Sequence, residues 1–198
     1  MWYSFRVLII FTQFGIYLMN KAVFLDRDGV IIEEEHYLSD PDKIRLVPGA
    51  SEAIKRLRDA GYLTVMTTNQ AGVARGYYEE ADAVRVNERL KSLLEDAGAG
   101  LDGIYLCPHH PDHSGECDCR KPAPGMLLQA SRDLDIDFSA SYMIGDKLSD
   151  IGAAKAAGCA GSVLVLTGHG KEFEAKAAAA GQKITASIIE AVDFILAD

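Results

Sequence analysis

From Lys21 onward, short apolar runs alternate with longer stretches in which apolar positions recur every three or four residues. The runs read as buried strands and the stretches as helices with one inward face. Strands are predicted at 22–25 (AVFL), 62–67 (YLTVMT), 103–106 (GIYL), 141–145 (SYMIG) and 162–168 (SVLVLTG). A helix over 50–60 turns Ala53, Ile54 and Leu57 inward and stops at Gly61. A longer one over 79–97 is predicted to bury Val84, Leu90, Leu93 and Leu94 before Gly98. Further helices fall at 125–134, 150–158 and 185–197, and the Ala-rich stretch 175–180 has ordinary helix composition.

Strands that alternate with helices predict an α/β fold, a Rossmann-like three-layer sandwich around a mostly parallel sheet. No linker, repeat or low-complexity tract interrupts residues 21–198, which read as one domain. In such sheets ligands bind beyond the carboxyl ends of the strands. Those ends carry Asp26-Arg27-Asp28-Gly29, Thr68-Asn69-Gln70, Arg120-Lys121-Pro122 and Gly145-Asp146-Lys147, with Asp150 further on.

Asp-x-Asp-Gly alone reads as a turn, because Asp and Gly both favour turns. Asp26, however, follows an apolar strand directly, where a carboxylate must be paired or metal-bound. Asp146 reaches the same rim after another strand. Carboxylate oxygens of this kind make the hard, octahedral site that Mg²⁺ takes beside phosphate, with Thr68 and Lys121 as phosphate ligands. A charge-balanced set of acids, hydroxyl and cations is not what independent turns produce.

The strings FLDRDGV, TTNQAG, RKP and GDKLSD resemble, in order, the four motifs of the haloacid-dehalogenase-like phosphohydrolases. The text around them, TNQAGVARG, CPHHP and CDCRKPAPGM, resembles the D-glycero-D-manno-heptose 1,7-bisphosphate 7-phosphatases, relatives of histidinol-phosphate phosphatase. The resemblance covers nearly everything from Lys21 onward. It implies Asp26 as a nucleophile that forms an aspartyl-phosphate, and Asp28 as the acid and base. It implies Mg²⁺ held by Asp26, the Asp28 carbonyl and Asp146. Thr68 and Asn69 would bind phosphate oxygens, Lys121 would offset transition-state charge, and Arg120 would grip phosphate or sugar. Lys147 is either part of this site or a surface cation.

No inserted cap domain is visible, since the gap from Gly29 to Pro48 is too short for one. Selectivity would then come from short loops, EEEHYL (33–38) and AGVARGYY (71–78), with His36 read first as a surface residue and second as substrate-facing. The implied reaction is removal of the 7-phosphate of a heptose 1,7-bisphosphate in nucleotide-activated heptose and lipopolysaccharide-core synthesis. Histidinol-phosphate hydrolysis is the alternative. A non-catalytic zinc module is disfavoured by the intact set of Asp26, Asp28, Thr68, Lys121 and Asp146.

Residues 107–119, CPHHPDHSGECDC, hold three of four cysteines and three of five histidines. Cys107, His109, Cys117 and Cys119 match the closed ligand set of structural Zn²⁺, and the resembling family has the same pattern. Four protein ligands leave no open position for chemistry, so this zinc fixes the loop that ends in Arg120 and Lys121. Unligated thiols and a redox Cys-x-Cys pair are the competing readings. His110 and His113 then count as bystanders, and Cys159 as a small core residue.

Net charge of −9 with no basic block argues against a nucleic-acid partner. Clustered rather than paired cysteines suit a reducing compartment. Together these predict a cytoplasmic monomer that acts on a small sugar phosphate without stable membrane association. Residues 7–19, VLIIFTQFGIYLM, are almost wholly apolar but short of the ~20 residues that span a bilayer. No small-residue cleavage site follows them. Residues 1–20 therefore read first as an extension ahead of a start at Met19, and second as a membrane or export segment.

Overall fold

The computed structural model describes residues 19–198. The readings of the apolar N-terminal segment concern residues outside that range, apart from Met19 and Asn20. Strand β1 (Ala22–Leu25) leads through a 3-10 turn at Pro41–Lys43 into helix α1 (Ala50–Asp59). Then follow β2 (Leu63–Asn69), the short α2 (Ala71–Ala74), α3 (Glu80–Asp96), β3 (Gly103–Cys107), the short α4 (Pro111–Ser114) and α5 (Gly125–Leu134). The second half runs β4 (Tyr142–Gly145), α6 (Leu148–Ala157), β5 (Gly161–Val165), α7 (Gly170–Ala179), β6 (Lys183–Thr185) and α8 (Ile188–Ala197).

All pairings in the sheet are parallel, and its order is β3-β2-β1-β4-β5-β6. The alternation of side chains along β1 explains the three layers. Val23 and Leu25 point to one face, where they meet Ile54 and Leu57 of α1, Val86, Leu90 and Leu94 of α3, and Val192 of α8. Ala22 and Phe24 point to the other, against Leu127 and Ala130 of α5 and Ala153 of α6. Each fully buried Leu or Ile in these faces is worth roughly 1.5–3 kcal/mol. Among the described residues no inserted domain covers the sheet's carboxyl edge.

Three details differ from the pattern-based reading. Val84 is 43% exposed. The inward stripe of α3 runs through Ala83, Val86, Asn87, Leu90 and Leu94, and at about 100° per residue Val84 falls some 80° off Leu94. Leu93 is half-buried rather than central. Strand β6 was not foreseen, because three residues carry no readable period.

The order reverses direction between β1 and β4, the switch point at which ligands gather in this topology. Leu25 pairs with both Met66 and Ile144, so the residues just beyond β1 and β4 come level with each other. Asp26 remains tied to the ladder, its N–H donating to the Ile144 carbonyl at 3.0 Å. Asp146 stands on the other side of the crevice.

Candidate active site and the Cys/His loop

Three carboxylates converge at the switch point. Oxygens of Asp26, Asp146 and Asp150 lie within 4.8 Å of one another, and all three residues are buried. Asp150, in the first turn of α6, folds back over Gly145, where a Cβ would come within 2.2 Å of the Asp150 Cβ. Lys121 enters from the far side of the sheet. Its Nζ lies 2.8 Å from Asp26 Oδ1 and 2.7 Å from Asp150 Oδ1, and it donates to the Thr67 carbonyl at 2.7 Å. Burial alone would lower the Lys121 pKa, but Asp150 and Asp26 more than offset it and hold the ammonium well above its usual range.

One ammonium against three buried carboxylates leaves a surplus of negative charge. Burial, then the Asp26 charge, push Asp146 up to about 8. Asp146 Oδ2 accepts from the His169 N–H at 2.8 Å, while Oδ1 is buried with no hydrogen-bond partner. Two glycines make the cradle for this carboxylate. A Cβ on Gly29 (φ +82°) would sit 2.4 Å from Asp146 Oδ2, and one on Gly168 (φ +51°) 2.3 Å from it. Orphaned buried oxygen, excess negative charge and hard oxygen donors together fit a divalent cation such as Mg²⁺.

Asp28 faces the same small recess as Asp26, Asn69, Lys121, Lys147, Ser149 and Asp150. Its Oδ1 accepts from Arg27 Nε and Nη2 at 3.2 and 3.0 Å, and its Oδ2 from Gln70 Nε2 at 2.9 Å. Thr68 Oγ1 accepts from the same Gln70 nitrogen at 2.8 Å, which leaves its own O–H to point elsewhere. Asn69 clasps the Lys121 backbone, donating to its carbonyl at 3.0 Å and accepting from its N–H at 3.1 Å. One Asn69 N–H is then left for a phosphate oxygen.

A cleft of about 310 Å³ opens over this recess. Glu34 to Leu38 from the first foreseen loop and Ala71 and Tyr78 from the second line it, with Arg27, Arg120, Lys121, Lys147 and His169 among its basic groups. Lys147 is not a free surface cation: Nζ is 3.5 Å from Glu34 Oε2 and 3.9 Å from Asp146 Oδ1. His169 Nε2 approaches the same Glu34 oxygen at 3.5 Å. His36 is exposed, lines the cleft and stacks edge-on against Tyr37 at 4.5 Å. A larger cavity of about 490 Å³ lies at the amino ends of β4, β5 and β6 and contains none of the converging acids. Chemistry, not volume, locates the site.

The donor atoms of Cys107, His109, Cys117 and Cys119 cluster within 4.8 Å. Contacts between them run from 2.7 to 3.8 Å, and all the cysteines are free thiols. Three thiols and an imidazole facing one point form the donor chemistry of a closed zinc site, whose Zn–S bonds of about 2.3 Å would set S–S edges near 3.8 Å. The loop connects directly to the centre. Arg120 Nη1 donates to the His109 carbonyl at 3.0 Å, and the next residue is Lys121. His110 is not idle: Nε2 faces Arg75 Nη2 at 3.1 Å, and its ring caps α4 at the Asp112 N–H. Cys159 packs at the edge of the second core cluster, half-buried.

Asp26, Asp28, Asn69, Arg120 and Lys121 line the recess or the cleft, Thr68 and Asp146 are wholly buried beside them, and Cys107, His109, Cys117 and Cys119 cluster in the loop. Sequence reasoning missed Gln70, Arg27 and Asn87 around Asp28, and the parts played by His169 and Gly168 beside Asp146. It noted Asp150 at the rim without pairing it to Lys121. Gln70 and Arg27 were visible inside the motifs. Asn87 and Gly168 carry no local signal.

An all-parallel fold with an acid–lysine centre at its switch point is that of a HAD-like hydrolase, and a family model described as HAD-hydrolase-like matches residues 118–191. The chain is 45% identical over 181 residues to D-glycero-beta-D-manno-heptose-1,7-bisphosphate 7-phosphatase of Haemophilus ducreyi, covering 89% of this chain and 98% of the relative. The enzyme of the same name from Escherichia coli K12 is 47% identical over 163 residues, 80% of this chain and 85% of the relative. A crystal structure of D,D-heptose 1,7-bisphosphate phosphatase from B. bronchiseptica, complexed with magnesium and phosphate, superimposes with a TM-score of 0.80 at 35% identity. That match covers 89% of this chain and 98% of the other. The chain belongs to the D-glycero-β-D-manno-heptose-1,7-bisphosphate 7-phosphatase family of HAD-like phosphatases.

Proposed function

We propose that the protein hydrolyses the 7-phosphate of D-glycero-D-manno-heptose 1,7-bisphosphate, with Asp26 as nucleophile and Asp28 as acid and base. The observation that carries the mechanism is the ladder-fixed Asp26 carboxylate, held 2.8 Å from a buried ammonium with a second acid facing the same recess. The substrate is supported by the names of relatives that align with most of their length.

An Asp26 oxygen attacks phosphorus in line, and the bond from phosphorus to the sugar O7 breaks. Asp28 gives its proton to that oxygen, so the sugar leaves as an alcohol. Asp28 then takes a proton from water, whose oxygen attacks the aspartyl-phosphate and releases Asp26 and inorganic phosphate. Thr68 and Asn69 hold phosphoryl oxygens through O–H and N–H donors, and the Lys121 charge offsets what builds up in the transition state, where positioning and electrostatics carry the catalysis. Asp26, the Asp28 carbonyl and Asp146 would hold Mg²⁺, whose charge offsets the repulsion between carboxylate and phosphate. Arg120 would take a phosphate or the sugar at the cleft mouth.

Zn²⁺ on Cys107, His109, Cys117 and Cys119 would be structural. The recess, cleft and loop are complete within one chain, so a monomer suffices. Free thiols in all four cysteines suit a cytoplasmic enzyme of heptose-glycan or lipopolysaccharide-core synthesis. Among the described residues no helix is long and apolar enough to cross a membrane.

Phosphate release from the heptose bisphosphate and from histidinol phosphate tests the substrate. A kcat/KM at least tenfold higher for the bisphosphate is expected, and faster turnover of histidinol phosphate would overturn the substrate while leaving the mechanism standing.

A further inference from the structure

The mechanism leaves one part-buried hydrogen-bonded chain without a role. It runs from Tyr78 through Gln70 to Asp28. Tyr78 Oη donates to Gln70 Oε1 at 2.7 Å. Gln70 Nε2 donates to Asp28 Oδ2 at 2.9 Å and to Thr68 Oγ1 at 2.8 Å. These bonds use the amide oxygen and both amide hydrogens of a residue that is only 4% exposed. A flipped amide would aim Oε1 at the Asp28 carboxylate and Nε2 at a hydroxyl donor, so the orientation is set by its partners. Burial pushes the Tyr78 hydroxyl up to about 12, which keeps it a donor. Its ring packs on bare backbone at Gly72, where a Cβ would approach within 2.2 Å.

The other Asp28 oxygen is held from a different direction. Arg27 grips Oδ1 with two nitrogens, and Arg27 Nη1 is itself anchored on Asn87 Oδ1 of α3 at 3.0 Å. A carboxylate gripped on one oxygen can still turn about χ2, whose well is broad. A second grip on the other oxygen fixes the carboxylate plane. Reaction at a phosphoryl group is sensitive to such angles, and a misplacement of about 1 Å can cost ~10²-fold.

We propose that Gln70, oriented by Tyr78, is a positioning residue that holds the Asp28 carboxylate at the angle from which it protonates the departing sugar oxygen. The proposal rests on the reading of Asp28 as the acid and base.

The leaving group provides the test. A sugar alkoxide needs a proton to depart, whereas p-nitrophenolate leaves without one. The measured quantity is kcat/KM, which covers the steps through phosphoryl transfer to Asp26. Its ratio between heptose bisphosphate and p-nitrophenyl phosphate is compared in the wild type, Asp28→Asn, Gln70→Leu and Tyr78→Phe. Asp28→Asn should lower the ratio by about 10²-fold or more, the scale of general-acid catalysis. Gln70→Leu should lower it by about tenfold or more, and Tyr78→Phe by roughly threefold to tenfold, within the ~10²-fold reach of misplacement. Tyr78→Phe is nearly isosteric, so it decides the matter even if Gln70→Leu does not fold. An unchanged ratio in Gln70→Leu and Tyr78→Phe beside a lowered one in Asp28→Asn overturns the positioning role alone. An unchanged ratio in Asp28→Asn overturns the acid–base reading, and the proposal with it.

Discussion

Lys121 Nζ lies 2.8 Å from Asp26 Oδ1, although 95 positions separate the two residues in the chain. The ammonium also meets Asp150 at 2.7 Å and the Thr67 carbonyl, so acceptors that follow β1, lie in β2 and open α6 surround it. Both acids and the lysine are almost wholly buried. Lys121 therefore serves the resting protein as well as, in the proposed mechanism, the reaction, because without it two carboxylates would stand uncompensated in a low-dielectric recess.

Lys121→Met should show both effects. Leaving buried charges unpaired costs about 3–5 kcal/mol, read by urea unfolding at pH 7. The loss should shrink near pH 5, below the value of about 6 to which burial pushes the Asp150 carboxyl. Turnover should fall by about 10²–10³-fold or more, as for removal of one donor to transition-state charge. A variant as stable as wild type at pH 7 would contradict the pairing.

Asp26→Asn should abolish turnover while the protein stays folded, because the carboxamide fills the same space but is a poor nucleophile. Steady-state kinetics and thermal unfolding check this together. Residual activity within about tenfold of wild type, ~1.4 kcal/mol of barrier, would remove Asp26 from the nucleophile's role.

Asp146 links stability to pH and metal. Its folded pKa is pushed up to about 8 by burial and Asp26, far above the 3.8 of a free aspartate. A native state that binds this proton more tightly is favoured at low pH, and the contribution is lost as pH rises from about 4 through 8. In EDTA, the Tm of Asp146→Asn relative to wild type should therefore climb across that window. Added Mg²⁺ should raise the wild-type Tm most at the alkaline end, since the cation needs the ionised carboxylate. A difference between the two proteins that is flat with pH would refute the coupling.

The two metals should part under chelation. Mild EDTA should stop activity, and Mg²⁺ should restore it. Zinc in a closed Cys₃His set should survive that treatment, and mass spectrometry should find about one per chain. Cys117→Ser should lose zinc, lower the Tm and reduce kcat/KM with little change in Mg²⁺ affinity. The route is the bond from Arg120 to the His109 carbonyl, which ties the loop to the residue next to Lys121. A fully active zinc-free protein would refute the structural role.

Much of the architecture was legible in the chain. Short apolar runs set between stretches of period 3.6 mark buried strands and one-sided helices, and that sufficed for five of the six described strands and for a parallel sheet with its site at one edge. Asp26, Thr68, Lys121, Asp146 and the clustered Cys107, His109, Cys117 and Cys119 stand in short strings, so they too could be read directly. Three kinds of fact could not. The three-residue β6 has no period, and Val84 falls outside the stripe of α3 because its angle, not its hydropathy, decides its exposure. The grip on Asp28 joins Gln70, Arg27 and Asn87 from three segments, and the cradle of Asp146 needs glycines 139 positions apart, at 29 and 168. A linear sequence records which residues can bond or make room, but a partner is chosen by distance in space, and only the folded sheet sets that distance.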